Sequence, residues 1–204
     1  PPVRLTSGEK RVYSSVWTPD GEYLLYERDA ENARTLFRVR TDGSGSAPEP
    51  AGPEGHFHPH GWSADRRELI ATRLVDNKTD LVRFAPAADA AVREILATPQ
   101  EEGPSAAVSP DGRWLAYASD STGRGEIWVR PLETSGPAVR VSPGGGTEPV
   151  WSRDGRELYY LIFTKMVVVK VGSGPEFSFE PPTELLTLST ATIPGNSPSS
   201  YDAP

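Results

Sequence analysis

The chain has 204 residues, a net charge of −7, no cysteine and 36% hydrophobic residues. Without cysteine there is no disulfide or thiolate metal site. An acidic chain lacking any Lys/Arg cluster does not suit nucleic acid, and the longest apolar run, Met166 to Val169, is far too short to cross or insert into a bilayer. The 19 glycines and 21 prolines, beside five tryptophans, favour short strands joined by many turns over long helices or disorder. The opening Pro1-Pro2-Val3-Arg4 is neither a signal peptide nor an initiator start, so the chain is expected to be a piece of a longer one.

In chain order, a first strand is predicted to end at Trp17, followed by Thr18-Pro19-Asp20-Gly21, a second strand through Leu24 and Tyr26, and a third at Leu36 to Val39. The pattern returns with Trp62, Ser63-Ala64-Asp65-Arg66, Leu69 and Leu81 to Phe84, then a fourth strand at Val92 to Leu96. It returns again with Val108, Ser109-Pro110-Asp111-Gly112, Leu115, Ile127 to Arg130 and Val139 to Ser142. The last copy holds Trp151, Ser152-Arg153-Asp154-Gly155, Leu158 and Val167 to Val169. Asp followed by Gly makes a tight hairpin turn, because the carboxylate caps backbone N–H groups and Gly accepts positive φ. Asp20, Gly21, Asp65, Asp111, Gly112, Asp154 and Gly155 are therefore read as structural turn residues rather than acid/base groups. Arg66 replaces Gly in the second copy, so that turn should be strained or of another type. The alternation after each Asp predicts a half-buried second strand. Trp17, Trp62 and Trp151 share one register and are expected to wedge between blades.

The four Asp residues stand 45, 46 and 43 positions apart. That period, with four strand signals per unit, predicts an all-β fold: a β-propeller of four-stranded antiparallel blades. The blades are expected at 11–55, 56–100, 101–145 and 146–188. Residues 1–10, which resemble Val139 to Gly144, should be the outer strand of a preceding blade, and 189–204 the start of a next one. About four blades of a six-bladed or larger ring are thus expected. The cut edges would be free to pair with missing blades or another copy.

Ser109-Pro110-Asp111-Gly112 and its variants resemble the Pro-Asp (WD40-like) repeat of bacterial TolB-type propellers. Glu126 to Leu132, Gly144 to Trp151, Lys165 to Val169, Phe177 and Glu184 to Leu186 look like propellers appended to bacterial transmembrane Ser/Thr protein kinases. The resemblance implies a non-catalytic binding or sensing module of a larger bacterial protein, placed outside the cytoplasm. It leaves two alternatives, the gating propeller of a prolyl-oligopeptidase-like serine peptidase and a TolB-like component of envelope transport. The chain has no Gly-x-Ser-x-Gly, no kinase motif and no phosphate loop, so no activity and no cofactor are expected of this segment.

Gly144-Gly145-Gly146 reads as a loop needing positive φ rather than an anion cradle. All three histidines lie in Gly55-His56-Phe57-His58-Pro59-His60, on or before an innermost strand, where Pro59 suits an edge. Alternation would let the three imidazoles project together. Side chains two apart on a strand stand roughly 7 Å apart, so no metal site is assigned to the three histidines. The expected binding surface is the channel mouth, gathering His56, His58, His60, Glu101, Glu102, Thr147 and Glu148. Its acidic, imidazole-bearing character suits a protein or basic peptide segment, or a small cationic ligand.

Overall fold

The computed structural model describes residues 5, 11–29, 34–45, 47–76, 78–96 and 102–188. Among them, every regular element is a strand. The first sheet is β1 (Val12–Trp17), β2 (Tyr23–Asp29), β3 (Arg34–Arg40) and β4 (Glu49–Pro50). The second is β5 (His56–Trp62), β6 (Leu69–Val75), β7 (Lys78–Phe84) and β8 (Arg93–Leu96). The third is β9 (Glu102–Val108), β10 (Trp114–Ser119), β11 (Glu126–Pro131) and β12 (Val139–Arg140). The fourth is β13 (Thr147–Trp151), β14 (Glu157–Ile162), β15 (Lys165–Lys170) and β16 (Thr183–Thr187). Each is an antiparallel meander in sequence order, so each is one four-stranded blade. The chain divides into two compact units, Pro1–Leu96 with the first two blades and Ala97–Pro204 with the last two. The outer strand expected within 1–10 and the new blade expected in 189–204 lie outside the described residues, Leu5 and its packing aside.

The hairpin between the first two strands is built the same way four times. In each, the Asp Oδ1 accepts a hydrogen bond from the Ser or Thr hydroxyl two residues earlier, at 2.5 Å for Asp20, 2.6 Å for Asp65 and Asp111, and 2.8 Å for Asp154. The same oxygen accepts the backbone N–H two residues later, at 2.9 to 3.1 Å. The hydroxyl oxygen in turn accepts the N–H five residues on, that of Tyr23, Glu68, Trp114 or Glu157. One Ser/Thr–Asp pair therefore satisfies donors that the turn would otherwise leave to solvent. The bonds from Thr18 and the Glu22 backbone hold Asp20 below the usual carboxylate pKa, and those from Ser63 and the Arg67 backbone do so for Asp65. The fourth turn position takes positive φ throughout: 73° at Gly21, 72° at Gly112, 70° at Gly155 and 59° at Arg66. The second turn is thus of the same type as the others, and its arginine carries the left-handed strain that glycine avoids.

The second strands are not half-buried. Leu25 and Tyr26, Ile70 and Ala71, Leu115 to Ser119, and Leu158 to Leu161 are buried at consecutive positions. Within each unit one face of a blade packs on the other blade, and the opposite face carries a second apolar set. In the first unit, Leu25 and Leu36 of one blade pack with Phe57, Leu69, Ala71, Val82 and Phe84 of the next, while Tyr26, Phe37 and Val39 form a layer on the opposite face with Leu5. In the second unit, Ala116, Ala118, Ile127 and Val129 pack with Trp151, Leu158, Tyr160, Val167 and Val169, and Tyr159 with Val168 lies on the far side.

Two tryptophans act as the expected wedges. The Trp62 indole N–H donates to the Trp17 carbonyl at 2.7 Å, and that of Trp151 to the Ala107 carbonyl at 3.1 Å. Each pins an innermost strand to the one before it in its unit. Trp17, at the same register, departs from this and is 57% exposed.

Removing the turn carboxylate in Asp111→Ala should lower unfolding free energy by about 1 kcal/mol in urea denaturation, as loss of other side-chain caps does. Arg66→Gly should act oppositely and raise it by up to about 1 kcal/mol, since relief of left-handed strain exceeds glycine's added chain entropy.

Candidate functional site

The histidine segment begins the innermost strand of the second blade. β5 is an edge strand of its sheet, so Pro59 costs no ladder bond on its open side. Regular pairing runs from His56 opposite Leu74 to Pro59 opposite Ala71, and then skips so that Gly61 faces Ile70. His60 is the extra residue of this bulge, and the bulge breaks the alternation that would have aligned three imidazoles. His60 turns to its own blade, with Nε2 2.7 Å from the Thr72 hydroxyl. Burial, and to a lesser extent the neighbouring His58, push its pKa down to about 3.

His56 and His58 do share a face. Their ring centroids are 4.8 Å apart, closer than the strand repeat because the rings lean together. Both lean on Glu27 of β2. His56 Nε2 stands 2.7 Å from one carboxylate oxygen and His58 Nδ1 2.8 Å from the other. The imidazoles are 21% and 23% exposed, while the Glu27 side chain is fully buried. Despite these short distances, neither Glu27 oxygen receives an aligned hydrogen bond. Around the cluster, Arg34 Nη1 lies 3.3 Å from His56 Nε2 and the Ser14 hydroxyl 3.4 Å from His58 Nδ1. Arg34 also reaches Asp29 at 3.4 Å and stacks over the Tyr13 ring at 3.9 Å, and the Tyr13 hydroxyl donates to Asp29 at 3.2 Å. Burial pulls the His56 pKa down, against the pull of Glu27. The cluster sets two partly exposed imidazoles and a buried carboxylate side by side.

Glu27 was not among the sequence candidates, although the repeat contains its signal. It stands seven residues after the turn aspartate, where the other copies carry Thr72, Ala118 and Leu161, all buried. A carboxylate at a place otherwise given to small or apolar side chains is a departure that alignment of the four copies exposes.

The remaining candidates lie in the second unit. Glu101 is outside the described residues. Glu102 opens β9 opposite Ser119. Thr147 is exposed and opposes Leu161. Glu148 takes φ of 53°, and its backbone N–H donates to the Ser105 hydroxyl at 3.0 Å. The glycine loop behaves as a loop. Gly145 has φ of 103°, and the Gly145 and Gly146 amides donate to the carbonyls of Ser142 and Gly125, which leaves them no anion to hold.

His60 yields a pH prediction. A histidine held neutral in the fold contributes stability that is complete above its unfolded pKa near 6.5 and is lost as the pH falls toward about 3. Between pH 6.5 and 4.5, urea unfolding of His60→Gln should depend on pH less steeply than wild type, by up to about 1.4 kcal/mol per pH unit.

No protein-family model and no curated protein sequence matches the chain. Solved structures do. A TolB-type protein from Agrobacterium tumefaciens superimposes with a TM-score of 0.65 at 18% identity, over 85% of this chain and 66% of its own. TolB from Acinetobacter baumannii gives 0.63 at 17%, over 89% and 46%. A puromycin-hydrolysing peptidase of Mycobacterium tuberculosis gives 0.59 at 15%, over 89% and 36%. The chain therefore spans about two thirds of the first of these proteins and less than half of the other two. At these identities the likeness concerns fold alone, and with the four meander sheets it gives the chain the blades of a TolB-like β-propeller.

Proposed function

We propose that this chain is a non-catalytic binding module of a larger bacterial protein. Its recognition surface is the end of the first unit where β5 begins. One observation carries the reading: the copies of the repeat differ chemically at Glu27, His56 and His58, whereas the recurring aspartates are consumed by their turns. A buried carboxylate behind two partly exposed imidazoles favours a cationic guest, either a lysine or arginine of a protein partner or a small cation. The similarity of Glu126 to Leu132 and Gly144 to Trp151 to kinase-appended propellers supports the finer role of an extracytoplasmic sensor of a transmembrane Ser/Thr kinase. The likeness to the Mycobacterium tuberculosis peptidase favours a second reading, in which the blades gate a hydrolase domain.

The coding sequence on either side separates these readings. A kinase domain and membrane helix before Pro1 fit the sensor, and a hydrolase domain carrying Gly-x-Ser-x-Gly after Pro204 fits the gate. For the module itself, the purified chain should turn over neither puromycin nor peptide esters. It should bind Lys/Arg-rich peptides in fluorescence anisotropy, and the double variant His56→Ala/His58→Ala should bind them about tenfold more weakly, a loss of roughly 1.4 kcal/mol. Turnover abolished by a single substitution in this chain, or peptide affinity indifferent to the double variant, would sink the proposal.

A further inference from the structure

The Glu27 carboxylate is fully buried, and an uncompensated charge at such a place costs several kcal/mol. The same fold shows how it handles a buried carboxylate otherwise. Glu126, also fully buried, accepts from the Thr122 hydroxyl at 2.8 Å, Arg124 Nε at 3.1 Å and Arg140 Nη1 at 3.3 Å. Burial raises its pKa, but those three bonds outweigh burial and the net direction is down. Glu27 has no such set. Among the described residues, its near neighbours of opposite polarity are two imidazole nitrogens at hydrogen-bond distance, and neither makes a hydrogen bond to it.

Short N···O distances with no hydrogen bond across them are what ligands around one ion show. Donor atoms on a shared cation aim at the cation, so adjacent ligands sit close to one another without pointing at one another. With ligand distances of about 2.0 to 2.1 Å, two donors on one ion stand about 2.9 Å apart at right angles and about 3.3 Å apart at the tetrahedral angle. His56 Nε2 and His58 Nδ1 stand 2.7 and 2.8 Å from the Glu27 oxygens, a little inside these spacings, and one donor atom from each residue lies within 4.8 Å of the other two. Two imidazoles with one carboxylate suit zinc, cobalt, nickel or ferrous iron, whereas calcium and magnesium prefer all-oxygen sets.

We infer that Glu27, His56 and His58 form a binding site for one borderline divalent metal ion of the zinc type. This rests on the reading that this end of the first unit receives a cation, and it narrows that cation to a metal. Three protein ligands leave at least one coordination position open on the solvent side, where the imidazoles are partly exposed. Arg34 is the built-in competitor. Its guanidinium approaches the His56 lone pair, and it keeps Asp29 and the Tyr13 ring as partners when a metal displaces it. His60 takes no part, because its Nε2 is engaged by Thr72.

The test is titration of chelator-treated protein with Zn2+ by calorimetry and with Co2+ by visible absorption. One equivalent should bind, and bound Co2+ should show ligand-field bands shifted by nitrogen ligation. Glu27→Gln and His58→Ala should each weaken binding by at least about tenfold. Arg34→Gln should tighten it several-fold, and His60→Gln should leave it unchanged. If Glu27→Gln does not fold, judged by circular dichroism, His58→Ala and Arg34→Gln carry the test, since both residues are partly exposed. No saturable binding at millimolar Zn2+, equal affinity in Glu27→Gln, or equal loss in His60→Gln would each overturn the metal site. Basic peptides titrated in the presence of chelator test the cation reading separately. Metal binding without peptide binding sinks the peptide proposal and leaves the metal site standing. Peptide binding that requires Glu27 while Zn2+ fails to bind does the reverse.

Discussion

A four-stranded sheet of strands two to seven residues long has two apolar faces and can bury neither by itself. This constraint governs the rest of the molecule. Leu25 on one face and Tyr26 on the other are both fully buried, and the same holds for Leu158 and Tyr159 with their respective layers. Within each unit a blade packs as a layer on the other, so its strands must hold their register against that neighbour. A one-residue slip would exchange the two apolar sets. The Ser/Thr–Asp turn supplies that register locally. It fixes the hairpin between the first two strands with three side-chain bonds and one positive-φ residue. The Trp62 and Trp151 indoles supply it between blades, by tying one innermost strand to the backbone of another.

With the fold carried by recurring residues, chemistry is left to the positions that do not recur. The place seven residues beyond the turn aspartate packs as Thr72, Ala118 and Leu161 in three blades and as Glu27 in the first. A carboxylate there gains nothing for the stack. Opposite it β5 brings His56 and His58. The contrast with Glu126 is instructive. There two arginines and a threonine neutralise and satisfy the buried charge, which makes a closed structural pair. At Glu27 the neighbours are imidazoles, weak bases that can exchange a hydrogen for another Lewis acid.

The solved structures that share this fold include proteins named for different tasks, among them TolB and a peptidase. Blade architecture is therefore compatible with many functions and selects none of them. Here the difference between copies within one chain is more informative than the likeness between chains. The four repeats act as internal controls, and a carboxylate present in one copy but absent from three calls for an explanation that folding does not give.

Sequence periodicity alone determined the blades, their four strands and the turn role of Asp20, Asp65, Asp111 and Asp154. It could do so because hairpin turns and strand alternation are local, and a turn aspartate finds its partners within five residues. It also placed all three histidines on one innermost strand. Only the tertiary structure decided which of them act together. The bulge between Pro59 and Gly61 sends His60 to Thr72, and the packing of β2 against β5 brings Glu27 to His56 and His58 across some thirty residues of chain. Burial on both faces of the second strands was likewise decided by stacking, because alternation describes one sheet and says nothing of what covers its other side. Pairing between blades depends on layers that no local pattern encodes, and for that reason the candidate site emerged only once the sheets were packed.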